Sequence, residues 1–332
     1  MNVIADRSPP TSEGDAPLRV RIIAPSSPFL KEKLDQGVAR LEQANVQVEL
    51  CPHLFSAGHA YLNGSDDQRL HSLQQSLQAD VDVVWLARGG YGLTRLLSQL
   101  RVPENSRLPV VVGFSDATAL LAWLCQRGIP CVHGPLATTL GGESETSFRR
   151  VLNILQGAQP DALRELRIAH VDAEQGEVEG KVFAANLCVL SHLVGTAHFP
   201  DLSGHIVLLE EVGERPYRID RMLTQLLDAG AFTGVKAIVL GEMIGCEEPA
   251  RGRSAPPTPL DVFLERCQNL GCPVFDQGAF GHGSPNLAIP VGIEGRLAWG
   301  QHGQEAALSF STALYEKPDS TARVRESMRG TP

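Results

Sequence analysis

The 332-residue chain has no run approaching the roughly eighteen apolar residues that a membrane-spanning helix needs, so no membrane partner is expected. Its opening stretch, "MNVIADRSPPTSEGDAP", holds acids and prolines but no apolar core. It therefore does not read as a secretory signal, and a disordered lead-in is expected over 1–17. No two of the seven cysteines form a CxxC pair, and no His/Cys cluster has zinc-ligand spacing. Scattered and odd in number, they imply free thiols, a reducing cytoplasmic setting and no metal. Neither GxGxxG nor GxxxxGK[ST] occurs, so no cofactor is indicated. Positive charge is short: 29 Lys and Arg against 38 Asp and Glu leave a net −9, which argues against nucleic acid. There is no internal repeat.

What is present is length enough for two domains and an ordinary globular composition, 43% hydrophobic and 20% charged. In the first half, "LRVRIIAPSS", "VQVELCP", "DVDVVWLARGG", "LPVVVGF" and "PCVHGP" read as strands with helical patterns between them. This predicts a parallel sheet covered by helices on both faces, with ligands beyond the C-terminal ends of its strands. Residues 141–180 hold a short helix, then turn polar and rich in Gly, Pro and Glu, and read as an interdomain crossover. The second half offers "HIVLLEEV" and "VKAIVLGEM" as strands, helices at "YRIDRMLTQLLDAG" and "PLDVFLERCQNLG", then short strands and turns. The expectation is an α/β protein of two domains, a nucleophile domain over 18–140 and a mixed α/β domain over 181–315. The active site would lie in the cleft between them, and 316–332 would be a loose tail.

The stretch "LPVVVGFSDATALLAWLCQRG" (108–128) turns a buried strand into a helix within three residues. Gly113 before Ser115 and Ala117 after it suit a sharp strand-to-helix turn that exposes a serine nucleophile; they equally suit a plain serine N-cap. A nucleophile needs a base and a group to orient that base. Among ten histidines, His192 and His198 read as packed, His133 as either a residue near the strand-end rim or a turn residue, and His282 in "FGHGSPN" as a ring projecting from a glycine-flanked loop. "LLEEVGERPYR" ends an aliphatic strand on Glu210 and Glu211, where a carboxylate needs partners. Alternation puts the two acids on opposite faces, so one of them can point at the histidine; Glu214 beyond Gly213 suits an arginine. "ARGGYG" (87–92) supplies backbone N–H groups for an oxyanion or a phosphate.

Together "IIAPSSP", "ARGGYG", "GFSDATAL", "HGP", "NLCVLSHLVGT", "LLEEVGERPYRIDRML", "AIVLGEM" and "FGHGSPNLAIPVG" resemble, in order and spacing, the LD-carboxypeptidases, a serine peptidase family. The resemblance spans residues 18–312. It implies Ser115 as nucleophile, Glu210 as acid and His282 as base, with Glu211 where the family usually has aspartate. It implies an oxyanion hole from the Asp116 N–H and a glycine-loop N–H, Gly90 ahead of Gly89. "AANL" replaces the family's G-G-N-L but keeps Asn186, a substrate-binding candidate beside Arg88 and Arg218, one of which would take the substrate carboxylate. The implied reaction releases the terminal D-alanine of a murein tetrapeptide in cell-wall recycling, by a homodimer acting on muropeptides. Two rivals stand beside it: a microcin-type amidase on aminoacyl-nucleotides, and a non-hydrolytic α/β binding protein. The stretch 247–258 lacks the aromatic that the amidase would need to stack on adenine.

Overall fold

The computed structural model describes residues 17–56, 60–101, 108–171, 175–249, 255–300 and 306–314. The expected lead-in and tail, and the middle of the 247–258 stretch, lie outside them. The first unit contains β1 (Arg19–Ile23), α1 (Lys31–Gln43), β2 (Gln47–Leu50), α2 (Asp66–Leu77) and β3 (Val83–Leu86). It continues with β4 (Val110–Gly113), α3 (Thr118–Cys125), β5 (Cys131–His133) and α4 (Glu145–Leu155). The second contains β6 (Leu163–His170), β7 (Gly176–Asn186), α5 (Leu187–Leu193), β8 (His205–Val212), α6 (Pro216–Asp228), β9 (Ala237–Ile244), α7 (Pro259–Cys267) and β10 (Val274–Asp276). Then come β11 (Ile289–Val291), β12 (Glu294–Trp299) and β13 (Ala306–Phe310).

The first sheet runs β11-β5-β4-β3-β1-β2, parallel except for β11. Strands β3 (VVWL) and β4 (VVVG) are buried at every residue, which explains their unbroken apolar runs. Helix α1 buries Leu34, Gly37 and Leu41 and sends its polar side outward. Helix α2 opens on a Ser65/Gln68 capping box, and α7 on one from Thr258 and Asp261. All seven cysteines are free thiols, and burial pushes the Cys267 thiol up to about 12.

The second unit closes as a barrel, β10-β6-β13-β12-β7-β8-β9, in which β7, β8, β9 and β10 run parallel and the other pairings are antiparallel. Two expectations need correction. Within 141–180, taken as a crossover with one short helix, lie β6 and the start of β7 beside the helix α4, because barrel strands turn one face to solvent: Glu177, Glu179 and Lys181 point out while Gly180 and Val182 point in. And β11, far along the second half, pairs with β5 of the first sheet, Ile289 opposite His133 and Val291 opposite Cys131. The loop carrying His282 therefore leaves the barrel at β10 and ends on the first sheet. Arg150 of α4 holds its far end, donating to the Ala288 carbonyl at 2.8 Å.

Candidate active site

Phe114 leaves β4 extended, and Ser115 then takes a left-handed backbone, φ +63°, at the head of a single 3-10 turn that leads into α3. A non-glycine residue held there is strained, a conformation typical of nucleophile turns. The turn closes because its neighbours are small: a Cβ on Gly113 would stand 3.0 Å from the Ala117 Cβ. No side chain caps this turn or α3, so the Ser115 hydroxyl is not spent as an N-cap.

The glycine loop lies directly against it. A Cβ on Gly89 would sit 2.9 Å from the Ser115 Cβ, 3.0 Å from its hydroxyl and 3.3 Å from the Asp116 nitrogen. Gly90, at φ +94°, has no room for a Cβ against Ser27. Among the described residues neither the Asp116 nor the Gly90 N–H donates to a protein acceptor. The Asp116 carboxylate ties the arrangement together, accepting from the Ser26 hydroxyl at 2.6 Å and the Leu93 N–H at 3.0 Å. Its burial pushes the carboxyl above its ordinary range, and the donors partly offset this. Fully buried Arg69 donates to the Pro25 and Gly92 carbonyls and locks the loop from below.

From the barrel comes an acid–histidine pair. The His282 Nδ1–H donates to Glu210 Oε2 at 2.6 Å, and Glu210 is fully buried. That bond leaves Nε2 as the proton-accepting nitrogen. Gly281, at φ +117°, makes room for it, since a Cβ there would stand 2.8 Å from the Glu210 Cβ. Both acids of the strand are buried because β8 lies between β7 and β9 with both faces covered, every residue from Ile206 to Glu211 being enclosed. Glu211 takes a different set of partners: the Val212 N–H at 2.7 Å, the Cys188 N–H at 2.7 Å and Asn186 Nδ2 at 3.1 Å. Glu214 pairs with Arg218 at 3.0 Å.

Serine turn and histidine loop meet through rings. Phe114 packs edge-on to His282 with centroids 4.7 Å apart, and the His133 ring bridges Phe114 (5.7 Å) and Phe280 (6.1 Å). His133 is no turn residue at the surface. It is fully enclosed, neither ring nitrogen has a hydrogen-bond partner among the described residues, and burial together with the neighbouring His282 pushes its pKa down to about 3. Asn286, which carried no signal in the sequence, accepts the Gly281 N–H at 3.1 Å and braces the loop.

The remaining candidates are placed less directly. Asn186 is buried and committed within the protein: it caps α5 by accepting the Val189 N–H at 3.1 Å, and its own N–H donates to Thr118 Oγ1 at 2.9 Å across the two units. Arg88 and Arg218 are exposed; Arg88 donates to the Pro28 carbonyl, and Arg218 to Glu214 and to the Tyr217 hydroxyl at 3.2 Å. His192, expected to be packed, faces solvent on α5 and reaches the Cys188 carbonyl at 2.6 Å, because that short helix buries Leu187, Leu190, Ser191 and Leu193 instead.

Two family models match the chain, the LD-carboxypeptidase N-terminal domain over residues 20–134 and the LD-carboxypeptidase C-terminal domain over residues 179–297. The chain belongs to the LD-carboxypeptidase family. The murein tetrapeptide carboxypeptidase of Pseudomonas aeruginosa is 34% identical to it over 303 residues, 85% of this chain and 95% of the relative. The crystal structure of muramoyltetrapeptide carboxypeptidase from Oxalobacter formigenes has TM-score 0.76 and 25% identity, over 91% of this chain and 100% of that one. The microcin C7 self-immunity protein shares the fold at TM-score 0.75 and 20% identity, over 92% and 98%. This LD-carboxypeptidase is therefore a serine-type hydrolase. Among its described residues no helix is long and apolar enough to cross a membrane.

Proposed function

We propose that this enzyme hydrolyses the L,D-peptide bond that releases the terminal D-alanine of a murein tetrapeptide, using Ser115 as nucleophile, His282 as base and Glu210 as the acid that orients it. The observation that carries the reading is the 2.6 Å bond from His282 to buried Glu210, reached by a loop whose ring packs against the residue preceding Ser115. His282 Nε2 takes the Ser115 proton as the oxygen attacks the carbonyl carbon, and Glu210 fixes the tautomer and stabilises the imidazolium. The Asp116 and Gly90 N–H groups receive the oxyanion, each worth roughly 3–4 kcal/mol in such sites. D-Alanine leaves with the proton from His282, and water, activated by the same nitrogen, hydrolyses the acyl-enzyme. Of the two exposed arginines, Arg88 is the better partner for the substrate carboxylate, because it adjoins the glycine loop and no acid pairs with it among the described residues.

The test is direct. Purified protein incubated with free, sugar-linked and nucleotide-linked tetrapeptides is expected to release D-alanine. A fluorophosphonate is expected to label Ser115, read by intact mass and peptide mapping. D-Alanine release from none of the three would refute the reading.

A further inference from the structure

The parallel strands β7, β8 and β9 end on one rim of the barrel, which brings Asn186, Glu210, Glu211 and Glu242 to the same edge. Nearly every acid there has a partner. Glu210 holds His282, Glu211 holds Asn186 and two backbone N–H groups, Glu214 pairs with Arg218, and Glu248 pairs with Arg215 at 3.3 Å. Glu242 differs. Its backbone N–H donates to the Phe280 carbonyl at 3.0 Å, but its carboxylate has no hydrogen bond or ion pair among the described residues. Partial burial alone acts on it, pushing its carboxyl above the ordinary glutamate range.

Nor is the carboxylate adrift. It fills the space that a side chain at Gly283 would need: a Cβ there would collide with the Glu242 carboxylate. Gly283 directly follows His282, so the acid lies against the loop of the base. A carboxylate drawn partly out of water beside the proposed base, with no cation of its own among the described residues, is placed to accept a cationic donor from outside.

We propose that Glu242 is a specificity residue that binds an ammonium group on the acyl side of the scissile bond. This rests on the D-alanine reading above. The leaving D-alanine carries the substrate's own carboxylate, which Glu242 repels, so the cation belongs to the residue that is acylated onto Ser115. In murein tetrapeptides that residue is a diamino acid, and its side-chain ammonium supplies the charge.

The experiment separates the two readings by measuring binding apart from turnover. Calorimetry on Ser115→Ala uses a tetrapeptide with a free side-chain amine and the same peptide acetylated on that amine. The free amine is expected to bind about 10- to 100-fold more tightly, the range of a charge-assisted bond. Adding Glu242→Gln is expected to abolish that preference while leaving the acetylated peptide's affinity unchanged. Equal affinity for both peptides in Ser115→Ala overturns the proposal, as does a preference that survives Glu242→Gln. Wild-type turnover is scored separately. If D-alanine is released but no preference exists, only the ammonium site falls. If the preference exists without release, the D-alanine reading falls and the site stands.

Discussion

On the first sheet, Ser115 is placed by backbone. A left-handed φ, two flanking small residues and a glycine loop in van der Waals contact fix where its oxygen points. On the barrel, Glu210 and His282 are placed by side chains, one hydrogen bond holding a ring on a loop that Asn286 braces. The two halves should therefore fail differently. Added volume damages the first, whereas altered charge at constant volume damages the second.

The largest effect should come from removing the proposed nucleophile. Ser115→Ala is expected to fold with unchanged circular dichroism and to lose more than about a thousandfold in kcat, the loss typical of such triads. Next comes the isosteric change on the barrel. Glu210→Gln is expected to lower kcat by about a thousandfold to ten-thousandfold, because an amide cannot hold the imidazole tautomer. Glu211→Gln sets two backbone donors and an amide against a new N–H₂, so it should cost about 1–3 kcal/mol of stability and only about tenfold in kcat. If Glu211→Gln proves the crippled one in steady-state kinetics, the pairing seen on β8 does not govern catalysis. On the first sheet, Gly89→Ala drives a methyl against the Ser115 side chain, 2.9 and 3.0 Å from its two atoms. A drop of about 100-fold in kcat with little change in fold is expected, since small misplacements at a reacting atom are costly.

The smallest effect concerns the junction, and it is one of stability. His133→Phe keeps a ring between Phe114 and Phe280 but removes two unpartnered nitrogens, which should stabilise the protein by about 1–3 kcal/mol at pH 7. Folded His133 stays neutral down to about pH 3, whereas unfolded it takes a proton near its ordinary 6.5. Its contribution to stability is thus complete above pH 6.5 and is lost as the pH falls toward 3. The urea midpoint of His133→Phe should exceed that of the wild type, by a margin that widens from pH 7 to pH 5.

The serine turn was legible in the sequence because its cause is local: Gly113, Ser115 and Ala117 lie within five residues, and the close approach of strand and helix there needs small side chains. The choice between Glu210 and Glu211 was not legible from alternation, because β8 is enclosed on both faces and only the tertiary partners of the two acids differ. Strand β6 hid for another reason: a barrel strand with one wet face shows little apolar content, and its pattern of burial is irregular. The significance of His133 was hidden too, since nothing beside it in the chain announces that two phenylalanines from distant segments enclose it.

Strand β11 has a consequence for how the protein is made. Its three residues, 289–291, cover the edge of β5, yet they are synthesised after almost the whole of both units. Until then β5 presents an open strand edge, a template for pairing with another chain. The emerging first unit is thus left one strand short while most of the barrel is being translated. Its last sheet edge is covered only by the segment that follows the His282 loop.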